Sequence, residues 1–359
     1  MIAARFHLRV IASALLIASF VASAPAQDEE GTVGTSTGIL PLADYSGDLW
    51  ERGHLLGDFG GSRSALAENG FQFQIEWTQT LQSIVEGGRD TGTRYAGSLD
   101  CLLWLDFDRM GLMPGGLLKI RGESRYGESV NDITGQFIPV NTDGLVPLTD
   151  DLDDNICLTL TTVAYTQFLT DNFGVVLGKF DTLESDFNEF ASGRGNSQFL
   201  NANFIYSPVL LFEPYSTLGA GLVWIPNEHV TATTFLYNLT DSSTTTGFGD
   251  IGDGWTWTAE AYRQYRLNGR PGGMAFGGTY NFDADFTEIG STRFVLRPNG
   301  VRLSSQSTEE SWTAYWNMWQ YLWTPEPVKG PVNIEDGQAD HRGVGMFLRA
   351  GVADRDTNP

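Results

Sequence analysis

Lys119, Arg121, Glu123 and Arg125 occupy four successive alternate positions, interleaved with Leu118, Ile120 and, one step on, Tyr126. In a strand, alternate residues share a face, so the four charges form one stripe. Such a stripe cannot face hydrocarbon, where each Lys or Arg at the bilayer midplane costs about 2–4 kcal/mol. It must face water. By the same parity Asp100, Trp104 and Asp106 on the preceding strand point to that side, as do Glu76 on the first strand and Lys179 and Asp181 on the fifth. Acids and bases opposed across a narrow pore would supply donors and acceptors to a polyhydroxylated solute. Aromatic faces would stack on its apolar C–H patches. A second role is open for the same residues: the charges could pair with each other and brace the wall.

The elements that would position them are strands. In 71–86, Phe71, Phe73, Ile75, Trp77, Leu81 and Val85 share one parity, and Gln72, Gln74, Glu76, Thr78, Thr80, Gln82 and Glu86 fill the other. That alternation belongs to a strand with unlike faces, and its length suffices to cross a bilayer at a tilt. The pattern recurs in 98–108, 117–126, 156–169, 174–182, 217–225, 230–239, 255–266, 274–283, 312–323 and 344–353, giving about eleven strands. Short turns at 109–116, 170–173, 226–229 and 267–273 alternate with long loops at 127–155, 183–216, 240–254 and 284–311, as in outer-membrane barrels. The connection 324–342 breaks this rule, and 290–305 has room for a hairpin around Pro298-Asn299-Gly300. Trp255 and Trp257, Trp312 and Trp316, and Trp319 and Trp323 sit near strand ends, where interfacial girdles place aromatics.

Composition agrees with an all-β chain: 42 glycines, 14 prolines and 12% aromatics. No second apolar run is long enough for a spanning helix, and the acidity excludes a nucleic-acid partner, which requires a basic face. Arg5 and Arg9, the apolar run 10–21 and Ala24-Pro25-Ala26 form a secretory signal. Cleavage after Ala26 takes the net charge from −22 to −24. Three segments result: a signal over 1–26, a flexible periplasmic leader over 27–49, and one barrel domain over 50–359. Within the last, Ser62 as N-cap opens a short helix to Glu68, with Asn69-Gly70 as its stop. Cys101 and Cys157 fall on strands separated by a third, about 10 Å apart, beyond disulfide reach. The odd strand count leaves an edge that lipid does not tolerate, so closing strands are expected to be missing from this sequence.

Catalytic motifs do not survive inspection. Gly34-Thr35-Ser36-Thr37-Gly38 fits G-x-S-x-G without the strand and helix that the elbow requires. Gly247 to Gly252 fits G-x-G-x-x-G, but a strand follows in place of a helix. His54, His229 and His341 lack metal spacing, and Asp150, Asp151, Asp153 and Asp154 read as a solvated acidic loop. No cofactor or metal is implied.

Leu55-Leu56-Gly57-Asp58-Phe59-Gly60-Gly61-Ser62-Arg63, followed by Leu66 and Asn69-Gly70, resembles the opening signature of carbohydrate-selective porins of the OprB family. Gly178-Lys179-Phe180-Asp181, Asn188-Glu189-Phe190, Phe199-Leu200-Asn201 and Phe347-Leu348-Arg349-Ala350-Gly351 are similar to its later segments. The resemblance implies a transmembrane antiparallel up-and-down β-barrel of 16 strands in the outer membrane, with charged side chains at a constriction and passive diffusion of mono- and oligosaccharides. Its partners would be small sugars and outer-membrane lipid. Porins often trimerise, so a homotrimer is an expectation. Competing readings are a non-selective diffusion porin, an outer-membrane barrel hydrolase and a secreted β-sandwich adhesin or lectin.

Overall fold

The computed structural model describes residues 38–50, 52–145, 156–185, 187–196, 198–210, 212–297, 300–325 and 343–358. The signal segment, the Asp150 to Asp154 run, His341 and most of 324–342 lie outside them. The strands are β1 (Phe71–Ile84), β2 (Gly92–Asp106), β3 (Gly116–Gly127), β4 (Ile156–Thr170), β5 (Phe173–Asp181), β6 (Ser216–Asn227), β7 (Val230–Asn238), β8 (Trp255–Leu267) and β9 (Arg270–Phe282). They continue with β10 (Phe286–Thr287), β11 (Arg293–Arg297), β12 (Gly300–Ser304), β13 (Ser307–Thr308), β14 (Ser311–Trp323) and β15 (Val344–Ala353). Strands β1 to β9, β14 and β15 make one 11-stranded antiparallel meander. The other four pair as β10–β13 and β11–β12 inside the β9–β14 loop, so the hairpin expected near Pro298 is present.

Burial follows the two parities. Ile75, Trp77 and Leu81 on β1 are 63%, 67% and 72% exposed, whereas Gln72 and Thr80 are buried. Trp224, Trp257, Trp312 and Trp323 are likewise about half exposed on the outer side. Trp319 departs from the girdle expectation. It shares the inward parity of Thr313, Asn317 and Tyr321, is buried, and meets Phe190 edge-on with ring centroids 6.1 Å apart. Strand β2 starts six residues earlier than hydrophobic alternation indicates, because Gly92 to Gly97 pair residue by residue with Ile84 to Gln79 of β1.

The short helix α1 (Ser62–Glu68) has Gly61, with φ 92°, at its N-cap. Ser62 is therefore the first helical residue, a correction to the cap expected there. The capping work falls to Asp58, whose Oδ1 accepts from Ser64 N at 2.7 Å and Ser64 Oγ at 2.9 Å. At the other end Asn69 and Gly70 donate to Leu66 and Ala67 carbonyls, and Gly70 takes φ 88°, the expected stop. Arg63 lies over Tyr45 at 4.1 Å and Phe73 at 4.8 Å and donates to the Phe73 carbonyl, tying helix and leader to β1.

Residues 38–45 of the leader are held, not loose. Asp106 Oδ2 accepts from Ile39 N at 2.7 Å and Leu40 N at 2.9 Å, and Arg109 donates to the Leu40 carbonyl. Ile39 and Leu40 then pack in one apolar cluster with Leu102, Trp104, Leu117 and Val223, each buried side chain contributing about 1.5–3 kcal/mol. This cluster accounts for two large apolar residues, Leu102 and Trp104, on a strand face otherwise polar. Cys101 is a free thiol on β2, and Cys157 belongs to β4, with β3 between them. Charge placed on the outer face should be costly: Ile75→Arg is expected to lose about 2–4 kcal/mol. The check is the yield of heat-modifiable folded protein in outer membranes, with Ser83→Arg, on the same face at the strand's far end, as the milder comparison.

Candidate functional site

Strand register brings three carboxylates into one rung. Glu76 of β1 pairs with Asp100 of β2, and Asp100 pairs with Glu123 of β3. Like charges directly opposite destabilise a sheet, so the rung requires a cation from elsewhere. Arg194 supplies it from the β5–β6 loop, which folds into the lumen instead of reaching outward. Its guanidinium meets Asp100 at 3.2 Å, Glu123 at 2.6 Å and Asp181 of β5 at 2.5 Å. Tyr215 donates to both Glu123 oxygens at 2.7 Å, and Asn196 completes the rung by donating to Glu76 at 3.1 Å. Glycines on either side of Arg194 let the chain make this descent. Gly193 and Gly195 have φ 76° and 92°, and a Cβ on Gly195 would sit 2.8 Å from Asp143 N.

The remaining inward charges hold other chain segments to the wall. Lys119 and Arg121 both pair with Glu184, in the 3-10 turn Thr182–Ser185, and Arg121 meets Asp181 at 3.2 Å. Arg125 donates to the Leu145 carbonyl at 2.8 Å. Lys179 donates to Leu160 and Thr245 carbonyls, each at 2.7 Å. On the far side, Asn188 donates to Asn317 of β14 at 2.7 Å, and Arg349 of β15 donates to the carbonyls of Ala191 and Ile205. The infolded loop is thus fastened to β2, β3, β5, β14 and β15.

Burial alone would push the Glu184 carboxyl upward, but Arg121, Lys119 and Arg194 outweigh it and hold it at about 2. Burial alone would lower the Arg194 pKa; Asp181, Glu123, Asp100 and Glu184 outweigh it and raise it well above its ordinary range. Asp143 accepts from Ser98 Oγ at 2.7 Å, yet burial prevails and raises its carboxyl to about 6.

Two cavities flank this loop. The one toward the long loops, about 230 Å³, is lined by Phe137, Tyr206, Leu183 and Asn317 among others. The one toward the short turns, about 190 Å³, is lined by Lys119, Phe180, Phe235 and Tyr237 among others. Of the ten residues that parity selected, Trp104, Lys119 and Asp181 line the second cavity. Asp100, Arg121, Glu123, Arg125, Asp106, Lys179 and Glu76 line neither. Arg194, Glu184, Asn196 and Tyr215 escaped the parity reading because they sit on a loop. Their signal was a Gly-Arg-Gly tripeptide in a long connection facing a wall with surplus acid.

A family model described as the carbohydrate-selective porin OprB family matches residues 90–359. The match starts beyond the Leu55 to Gly70 block that suggested the resemblance. The high-pH structure of Pseudomonas putida OprB aligns with TM-score 0.66 and 21% identity, covering 85% of this chain and 71% of that one. Its low-pH structure gives TM-score 0.49 and 14% identity over 84% and 73%. OccAB1 of Acinetobacter baumannii gives 0.31 and 11% over 70% and 61%. Among curated proteins, none matches the chain.

Removing Arg194 strands the acidic rung. Arg194→Ala should cost about 3–5 kcal/mol and release the loop, seen as a lower denaturant midpoint together with a larger single-channel conductance; Arg194→Lys should fall between. Asp143 gives a pH signature. Its folded-state value, raised from 3.8 to about 6, means the folded protein binds more protons in that window, so its contribution is complete below 3.8 and is lost as pH rises through 6. Asp143→Asn should flatten the fall in stability between about pH 4 and pH 6, measured by denaturant unfolding at each pH.

Proposed function

Since the chain belongs to the OprB family of carbohydrate-selective porins, a family of transport channels and not of enzymes, we propose that it passes neutral mono- and oligosaccharides by passive diffusion. The observation that carries this reading is the infolded loop pinned by Arg194. It narrows the lumen while consuming the wall's charge in internal ion pairs, so that a neutral solute meets carboxylate, hydroxyl and aromatic groups without a strong net barrier. Lys119 and Glu184, at the margin of that clamp, contact the solute. Asp100, Arg121, Glu123 and Asp181 position the loop; Arg125, Lys179 and Asp106 position its neighbours and the leader; Glu76 positions Asn196. Trp104 backs the apolar seat of the leader.

The exposed apolar parity faces outer-membrane lipid, the segment 1–26 directs export, and the assembled form is a homotrimer. Liposome swelling tests the selective reading. Neutral sugars should enter faster than amino acids of matched size, and size-scaled equality would make the protein a general diffusion porin instead. Lys119→Ala should change sugar rates by a few fold while leaving the folded yield intact. Crosslinking in outer membranes should give a three-chain ladder.

A further inference from the structure

Resting on the porin reading, we propose that solute crosses the lumen's waist between the infolded loop and strands β8 and β14, where Glu213, Glu260 and Tyr315 admit neutral polyols and reject their anionic derivatives. The two cavities share five lining residues among those described: Thr182, Leu210, Glu213, Glu260 and Tyr315. A residue that lines a cavity on each side of the loop marks the way from one to the other. That way runs opposite the charged row of β3, not along it. Neither Arg121 nor Arg194 lines either cavity; both are buried against carboxylates.

The chemistry of the passage follows from its lining. Tyr315 donates to Glu260 at 2.6 Å across β14 and β8, and Tyr237 of β7 donates to Glu213. Each pair sets a carboxyl beside an aromatic ring, a combination that receives sugar hydroxyls on one side and C–H patches on the other. Burial raises the Glu213 carboxyl to about 7 against the Tyr237 hydrogen bond, so it is largely ionised only above that pH. The long-loop cavity has Glu213 and Glu260 and no basic residue among its described lining. In the short-turn cavity Lys119 is paired with Glu184 and Asp181 with Arg121 and Arg194, so the carboxyls beyond those pairs are Glu213 and Glu260. Acidic side chains lining a lumen favour cations and oppose anions. A sugar bearing a carboxylate or phosphate meets that barrier, and its neutral parent does not.

The experiment uses the full chain in liposomes, with glucose and glucuronate as probes and heat-modifiable migration to certify folding. The wild type should pass glucose about tenfold faster than glucuronate and show a cation-selective reversal potential in planar bilayers. Glu260→Gln should cut the ratio several fold, and the Glu213→Gln/Glu260→Gln pair should bring it near unity with loss of cation preference. Glu128→Gln, at the exposed rim and lining neither cavity, should leave both unchanged. Glu213→Gln alone serves if Glu260→Gln does not assemble. An unaltered ratio and reversal potential in the folded Gln variants would overturn the assignment while wild-type glucose entry leaves the porin reading standing. Failure of glucose to enter through the wild type would instead remove that reading itself.

Discussion

The lumen depends on one unfavourable juxtaposition and its remedy. Register sets Glu76, Asp100 and Glu123 side by side across β1, β2 and β3, a rung of like charge that the sheet could not keep unaided. Arg194 resolves it, and in doing so draws its loop into the channel. Electrostatic repair of the wall and narrowing of the passage are therefore the same event. Because the guanidinium is planar and forked, it can satisfy carboxylates from three strands at once, which a point charge such as Lys could not match.

The same logic extends around the interior. Asp106 seats the leader, Arg125 the turn at Gly144 and Leu145, Lys179 the loop near Thr245, and Arg349 the far half of the infolded loop. Charges that look as if they exist to touch solute instead pair with one another or hold backbone carbonyls and amides in place. Charge-assisted bonds of this kind are among the stronger ones a protein makes, and here they anchor segments that would otherwise project from the barrel. What remains for solute is the lining of two cavities, acidic and aromatic, one on each side of the loop. A channel for neutral polyols needs that division: polar contacts for the solute kept apart from the paired charges that hold the wall and the loop.

Much of the fold could be read along the chain. Strand positions followed from a period of two, because one face of each strand is apolar and the other is not, and the hairpin at β11–β12 followed from its turn residues. Errors arose where that contrast fails. The start of β2, Gly92 to Gly97, carries no run of apolar alternation and was fixed by pairing with β1. Trp319 sits inward because Phe190, from a loop, gives it an apolar neighbour there. Ser62 yielded its capping role to Asp58, four residues earlier and outside the helix. The candidate site was legible as a face but not as a site, since parity assigns a side and says nothing of which groups meet.

By itself the sequence determined which side chains point inward, since alternation is a local property of extended backbone carried residue by residue. Register, loop entry and the pairing of Arg194 with carboxylates on three strands arise between segments distant in the chain. No local period encodes them, and the tertiary structure alone decided that the charged wall braces the loop while the passage lies across from it.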